Sequence, residues 1–260
     1  MAAIIPTRSA HRAPRRPREP ARRRSAWVRR PAVPAMHPDA ALVRLLQLAS
    51  PALPVGAYSY SEGLEWAVER GWVRDAAALR AWIEDALADG GARVEAAVFA
   101  RAYDAARRGD AKTIGCWNAW LTAARESEEL RLQSLEMGRA LVKLLAALEP
   151  PVPLAQALRA RPCHFVIAFA VAAAEWGIAR EAAALAYLHG WAANLVGAGV
   201  KLIPLGQTAG QQLLWDLREP LIALARRAAT IPDDELGVAN WGQALASMQH
   251  ETQYSRLFRS

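Results

Sequence analysis

The chain has 260 residues, of which 53% are hydrophobic, 22% are charged and two are cysteine. This length allows one or two globular domains with a sizeable core, whereas two cysteines, Cys116 and Cys163, exclude a disulfide scaffold or a cysteine-rich zinc cluster. Low cysteine content also suits a reducing cytoplasm, where we expect the protein to work. The formal charge of +7 raises the question of nucleic-acid binding.

That positive charge is concentrated in residues 1–35. This stretch holds ten arginines and one acidic residue, Glu19, so it carries +9 and the rest of the chain sums to −2. A nearly neutral folded part does not favour a DNA-binding face. Because the stretch also contains six prolines and little apolar periodicity, it is predicted to be a disordered leader.

Three interpretations of this leader stay open. The favoured one makes Met36 the natural start, so that the upstream stretch is a gene-model extension or a dispensable leader. An arginine-rich, acid-poor composition also resembles an organelle transit peptide. The third interpretation is an arm that binds RNA or an acidic partner.

After Met36, apolar residues recur at helical spacing. A first helix is predicted after Pro38-Asp39 and a second after Asp75, closed by Gly90-Gly91. A third follows Asp110, and a fourth runs over residues 126–148, before prolines at 150, 151 and 153 that mark the strongest internal break. No run of alternating β-branched residues is found, so the sequence predicts an all-α fold.

The second half of the chain is more apolar. Residues 182–200 contain no charged side chain and approach the length of a membrane span. His189, Asn194 and three glycines argue for a central buried helix instead. Segments 162–176 and 204–229 are predicted to wrap around it, which makes residues 36–260 a compact single-domain helical bundle.

Motifs for catalysis and metal binding are missing. Residues 197–202 lack the spacing of a phosphate-binding loop, and no nucleophile motif occurs. Cys163 and His164 are adjacent, so they do not face one ion from one helix, and they are interpreted as packing residues in the core and near the surface. Paired acids such as Glu128-Glu129 lie in charged runs and are interpreted as solvated faces. We therefore predict neither a catalytic site nor a metal site.

Two segments place polar and aromatic residues where a helix does not need them. Residues 50–65 combine two prolines, Gly56 and two tyrosines, which is either a rigid connector packed on the bundle or a contact surface. Residues 201–212 hold three glutamines that either cap a helix or form a hydrogen-bonding surface beside Lys201. The last residues, 250–260, mix charge with aromatic side chains and either dock on the bundle or bind a partner.

These segments resemble the UreF family of urease accessory proteins. The similar blocks are LASPALPVGAYSYSEGLEWAVERGWV (48–73), ARESEELR (124–131), AGVKLIPLGQTAGQQLL (198–214) and HETQYSRLFRS (250–260). They follow one another in order from about residue 38 to the last residue, and such a series of long matches is specific. The first 35 residues have no counterpart in the family.

The resemblance implies an all-α, dimeric protein without catalytic activity or cofactor, acting in urease maturation. Such a protein binds the accessory protein UreD, called UreH in some organisms, and through it recruits the GTPase UreG onto the urease apoprotein, where GTP hydrolysis is coupled to nickel insertion. Neither nucleic acid nor membrane is implied as a partner. The residues that match partner-binding positions are Tyr58, Glu65, Lys201, Gln207, His250, Tyr254 and Arg256.

The chemistry of these residues fits interfaces. Arg256 offers a planar fork for a carboxylate, and Tyr58 offers a large rigid contact. Lys201 and Glu65 either contact the GTPase or pair with each other in a structural salt bridge. Two rival classes remain: a helical enzyme whose apolar pocket is walled by residues 182–200, and an RNA-binding protein acting through its arginine-rich leader.

Overall fold

The computed structural model describes residues 38–148, 158–159 and 161–260, which form helices joined by turns and short loops. The α-helices are, in chain order, α1 (Pro38–Ala49), α2 (Leu64–Glu69), α3 (Ala76–Asp89), α4 (Gly91–Arg107), α5 (Ala111–Ala124), α6 (Glu128–Ala147), α7 (Phe165–Glu175), α8 (Arg180–Leu202), α9 (Gln207–Asp216), α10 (Arg218–Arg227) and α11 (Trp241–His250). Single 3-10 turns lie at Ala57–Ser59, Ala228–Thr230 and Asp233–Glu235. No strand occurs in these ranges, and the all-α prediction is confirmed. The predicted leader (1–35) and the proline break (150–153) lie outside the described residues.

Helix boundaries follow the capping residues of the sequence. The Asp75 side chain accepts a hydrogen bond from the backbone N–H of Ala78 at 2.8 Å, and Asp110 does the same for Thr113 at 3.0 Å, so the helix starts predicted after these residues are confirmed. The first helix was predicted to start after Pro38-Asp39, but α1 includes both residues. Ser127 and Asn240 cap α6 and α11 in the same way. Each cap satisfies a backbone donor that the first helical turn leaves free.

The most completely buried helix is α7. Every residue from Val166 to Glu175 is buried, because α7 packs between α4 and α6. Four aromatic rings from α4, α7 and α8 meet there with centroid separations of 5.5–6.1 Å, and they belong to Phe99, Phe165, Phe169 and Tyr187. The predicted segment 162–176 is therefore a core helix rather than an outer wrapping.

The apolar helix that the sequence placed at the centre corresponds to α8. It packs against α1, α2, α3, α4, α7, α9 and α10, yet one face, which carries Ala182, His189 and Gly197, is exposed. The segment predicted at 204–229 is two helices, α9 and α10, which meet at Leu217. None of the described helices combines the length and the apolar character that crossing a membrane requires.

Candidate functional site

The C-terminal segment, defined here as residues 251–260, lies against the helices rather than away from them. Its Phe258 and Ser260 are buried. The backbone N–H of Arg259 donates to the carbonyl of Ser59 at 2.8 Å, and the main-chain oxygen of Ser260 accepts from the N–H of Ser61 at 2.6 Å. The chain end and the loop before α2 are thus joined by backbone hydrogen bonds across nearly 200 residues of sequence.

Glu65 of α2 binds the backbone of the C-terminal segment. Its side chain is buried, and its two carboxylate oxygens accept from the backbone N–H of Leu257 at 2.6 Å and of Phe258 at 2.8 Å. A buried carboxylate needs such donors, because desolvation without hydrogen bonds is costly. Glu65 therefore fixes the backbone of the segment at two consecutive residues.

Beside it, four side chains form what we call the docking cluster: Glu65, Glu129, His250 and Arg256. The completely buried His250 places Nδ1 2.6 Å from Glu129 Oε2 and Nε2 3.4 Å from Glu65 Oε2. Arg256 donates from Nη1 to Glu129 Oε1 at 2.7 Å. The cluster joins α2, α6, α11 and the C-terminal segment.

A second contact fastens the segment to the start of α6. One carboxylate oxygen of Glu251 accepts from the backbone N–H groups of Glu128 at 2.7 Å and Glu129 at 3.3 Å. An acidic group at a helix N-terminus satisfies free donors and complements the helix dipole. Behind it, the hydroxyls of Ser127 and Ser247 lie 2.6 Å apart in the interior.

The two tyrosines of the loop before α2 behave differently. Tyr60 is 4% exposed, and its hydroxyl donates to Glu136 Oε2 at 2.9 Å. Burial, and to a smaller extent this hydrogen bond, raises the pKa of Tyr60 to about 12. The guanidinium of Arg259 lies over its ring. Tyr58 is 73% exposed and lies in the 3-10 turn that follows Gly56, whose φ is 77°. The loop is thus both a packed connector and a surface.

Large apolar side chains are exposed next to the docked segment. Trp241, Leu245 and Met248 follow one another at helical spacing on α11, and Tyr254 and Leu257 continue the exposed set in the segment itself. We call these five side chains the C-terminal apolar face. Large exposed apolar side chains make this part of the molecule a candidate interaction surface.

A second surface lies along α8. A cavity of about 930 Å³ opens there, and its lining includes Tyr58, Lys201, Trp215 and the small residues Gly190, Ala193 and Gly197. A Cβ added at Gly190 or Gly197 would meet no atom within 4 Å, so the helix backbone itself forms part of this surface. We call this the α8 groove.

The structure therefore divides the predicted partner-binding residues into two groups. Glu65 and His250 are buried, so a role in binding acts through the segment that they hold; Arg256 is partly exposed and shares that cluster. The remaining predicted residues, which present their side chains to solvent, are Tyr58, Lys201, Gln207 and Tyr254.

Lys201 and Gln207 lie on either side of the turn between α8 and α9. The Lys201 ammonium lies 5.4 Å from the centre of the Phe258 ring, a cation–π contact with the C-terminal segment. No ion pair among the described residues joins Lys201 to Glu65. The two residues therefore do not form the structural salt bridge that the sequence left open. Gln207 is the first residue of α9 and follows the N-cap residue Gly206.

Glu129 is the residue that sequence reasoning missed. It was interpreted with Glu128 as part of a solvated face, but its side chain is 13% exposed and it contacts both His250 and Arg256. The partners are supplied from more than 120 positions away, which no local pattern reveals. The signal was its place in the second family-like block, 124–131.

Two further polar residues of the interior, Cys163 and His164, are adjacent in the sequence and buried. His164 is completely buried between Ser134 and Thr122, each 3.0 Å from a ring nitrogen, and burial, reinforced by Arg125 and Arg131, lowers the pKa of His164 to about 3. Burial raises the pKa of the Cys163 thiol to about 12. His164 is thus a core residue rather than a near-surface one. No group of three or more metal-ligating side chains comes together in the described part of the chain.

Comparison with known proteins shows which family the chain belongs to. Residues 73–218 match the family model described as UreF. A protein named urease accessory protein UreF from Nostoc sp. is 56% identical over 224 residues, covering 85% of this chain and 97% of that protein. Proteins of the same name from Trichormus variabilis and Chromohalobacter salexigens are 53% and 46% identical, over 85% and 87% of this chain and 97% of each relative.

Proposed function

The chain belongs to the UreF family of urease accessory proteins, and from this premise we propose that it acts in the cytoplasm as a non-catalytic scaffold for nickel insertion. It joins UreD, called UreH in some organisms, and the GTPase UreG on the urease apoprotein, and it gates the GTP-dependent transfer of nickel. Its partners are proteins, and nucleic acid and membrane play no part.

The observation that carries this proposal is the C-terminal apolar face. Trp241 is 74% exposed and Tyr254 is fully exposed, although both lie on backbone fixed by the docking cluster and by α11. Rigid, exposed aromatic side chains are typical anchors of protein interfaces. We assign this face to UreD, because two of its side chains, Tyr254 and Leu257, belong to the C-terminal block that resembles the family.

The α8 groove is proposed to bind a second copy of the chain. Small residues such as Gly190, Ala193 and Gly197 let two helix backbones approach closely, and Trp215 and Tyr58 at the margins supply apolar area. Neighbouring α1 adds exposed Leu42, Val43 and Leu46. Sedimentation velocity on the full chain measures this self-association.

UreG recruitment is assigned to the exposed turn between α8 and α9. Lys201 and Gln207 stand there with their side chains in solvent. Glu65 contributes indirectly, because it fixes Phe258 whose ring contacts Lys201. We therefore propose that UreG binds next to the docked segment, beside the surface assigned to UreD.

Capture of purified UreD tests the proposal. Tyr254→Ala and Arg256→Ala are each expected to weaken binding by about thirtyfold, which corresponds to the loss of roughly 2 kcal/mol at an interface anchor. Arg80→Ala is the matched control, since Arg80 is an exposed arginine in an ion pair on α3. All three variants should keep the far-UV helical signal. Unchanged affinity of both Tyr254→Ala and Arg256→Ala would refute the assignment of this face.

Deleting residues 250–260 would separate binding from stability less clearly than these substitutions do. His250 is the last residue of α11 and is buried in the docking cluster. Its removal would leave Glu65 and Glu129 without their partners in the interior, so the deletion would mix lost stability with lost binding.

A further inference from the structure

The last residues of the chain contact a strained point of the backbone. The main-chain oxygen of Ser260 accepts from the N–H of Ser61 at 2.6 Å, the N–H of Glu62 at 3.1 Å and the Ser61 hydroxyl at 2.6 Å. Glu62 has φ of +56° and is the single non-glycine residue with positive φ in the described part of the chain. Such a conformation is unfavourable for a residue with a side chain and persists when its surroundings hold it.

The Glu62 carboxylate connects this point to two helices. It accepts from Nε2 of Gln133 on α6 at 2.8 Å and from the indole N–H of Trp191 on α8 at 2.9 Å. Gln133 in turn accepts from the Ser260 hydroxyl at 2.6 Å. The chain end therefore contacts Glu62 twice, through its backbone directly and through Gln133.

Tyr60, two residues before Glu62, provides a second link to α8. Asn194, nearly one helical turn beyond Trp191, donates from Nδ2 to the carbonyl of Tyr60 at 2.9 Å. Residues 60–62 thus lie between the chain end on one side and α8 on the other. Two side chains of α8 depend on the conformation of these three residues.

We propose that docking of residues 258–260 holds Glu62 in its left-handed conformation and thereby sets the position of α8, so that the C-terminal segment acts as an internal effector of the α8 groove. Release of the segment frees Glu62 to relax, withdraws its carboxylate from Trp191 and loosens the helix that forms the groove. Coupling of this kind is reciprocal, so association through the groove favours the docked segment. The consequence for self-association rests on the proposed function of the groove.

The indole N–H of Trp191 reports on this link directly. In uniformly ¹⁵N-labelled full chain its resonance is assigned by comparison with Trp191→Phe. We expect deletion of Arg259 and Ser260 to shift this resonance and to speed its exchange with water at least tenfold, although no hydrogen bond joins either residue to Trp191 in the described structure. This deletion leaves the buried Phe258 in place, and deletion of 258–260 should give the same result. Tyr254→Ala, in the same segment but fully exposed, should leave the resonance unchanged.

Sedimentation of the same proteins completes the test. The deletion is expected to raise the dissociation constant for self-association about tenfold, and Glu62→Ala should abolish the difference between full and shortened chains. An unchanged Trp191 resonance and exchange rate in a folded, shortened chain would overturn the inference. An altered resonance with unchanged self-association would overturn its extension to the groove. A full chain that stays monomeric refutes the proposed dimer instead, while the Trp191 measurement still decides the link.

Discussion

At the scale of single residues, buried and half-buried carboxylates do the positioning. Glu65 binds two backbone N–H groups, Glu129 binds His250 and Arg256, and Glu62 binds Gln133 and Trp191. Each replaces water by directed donors, which is what a buried carboxylate requires. The sequence identified Glu65 through its motif, yet it could not show that its donors are the backbone of residues 257 and 258.

His164 gives a pH dependence of stability that can be measured. Its pKa is about 3 in the folded protein and 6.5 without the fold, so the unfolded chain binds a proton below pH 6.5 that the folded chain does not. Stability contributed by neutral His164 is therefore complete above pH 6.5 and is lost as the pH falls toward 3, by up to about tenfold in the folding equilibrium per pH unit.

Denaturant unfolding between pH 7 and pH 4.5 measures this loss. The carboxylates also titrate in acid, so the comparison is with His164→Gln, which should show a flatter decline over the same range. Parallel profiles of the two proteins would contradict the assignment of a neutral, buried His164.

At the scale of elements, helix existence was predictable and helix contacts were not. The N-caps Asp75 and Asp110 and the break at Gly90 stand in the sequence as they do in the fold. α4 was not predicted, although the helix is amphipathic and most of its residues are buried. α7 is apolar on all sides, so its pattern did not distinguish a central helix from an outer one.

Gly138 shows how closely α6 approaches the chain before α7. A Cβ added at Gly138 would overlap the carbonyl oxygen of Cys163 and the backbone of His164. Gly138→Ala is therefore expected to destabilise the protein by roughly 3 kcal/mol, since backbone cannot yield as a side chain does. Thermal or denaturant unfolding measures this change.

Gly115→Ala on the exposed face of α5 is the control for Gly138→Ala. An added Cβ meets nothing within 4 Å there, so this substitution should stabilise the protein by about 0.5–1 kcal/mol through helix propensity. Equal effects of the two substitutions would show that the α6 contact is not as close as described.

At the scale of the whole molecule, the packed helices present two surfaces, the C-terminal apolar face and the α8 groove. Its fold class and its family followed from the sequence, because helical periodicity and four ordered blocks are local features. The surfaces did not follow, because each is assembled from distant segments: the C-terminal apolar face joins α11 to the docked segment, and the α8 groove includes side chains from the loop before α2 and from α9. A cavity walled partly by α8 exists, as the enzyme alternative required, but the carboxylates in its lining are already paired: Glu95 with Arg125 and Tyr187, and Glu62 with Gln133 and Trp191.

Urease activity in a strain that lacks this gene tests the central claim, that the protein matures urease by holding partners together. We predict activity near background in that strain, full recovery with the complete chain, and little recovery with Tyr254→Ala combined with Arg256→Ala, although this variant folds normally. Normal urease activity in the absence of the chain, or full recovery with a variant that no longer captures UreD, would contradict the account.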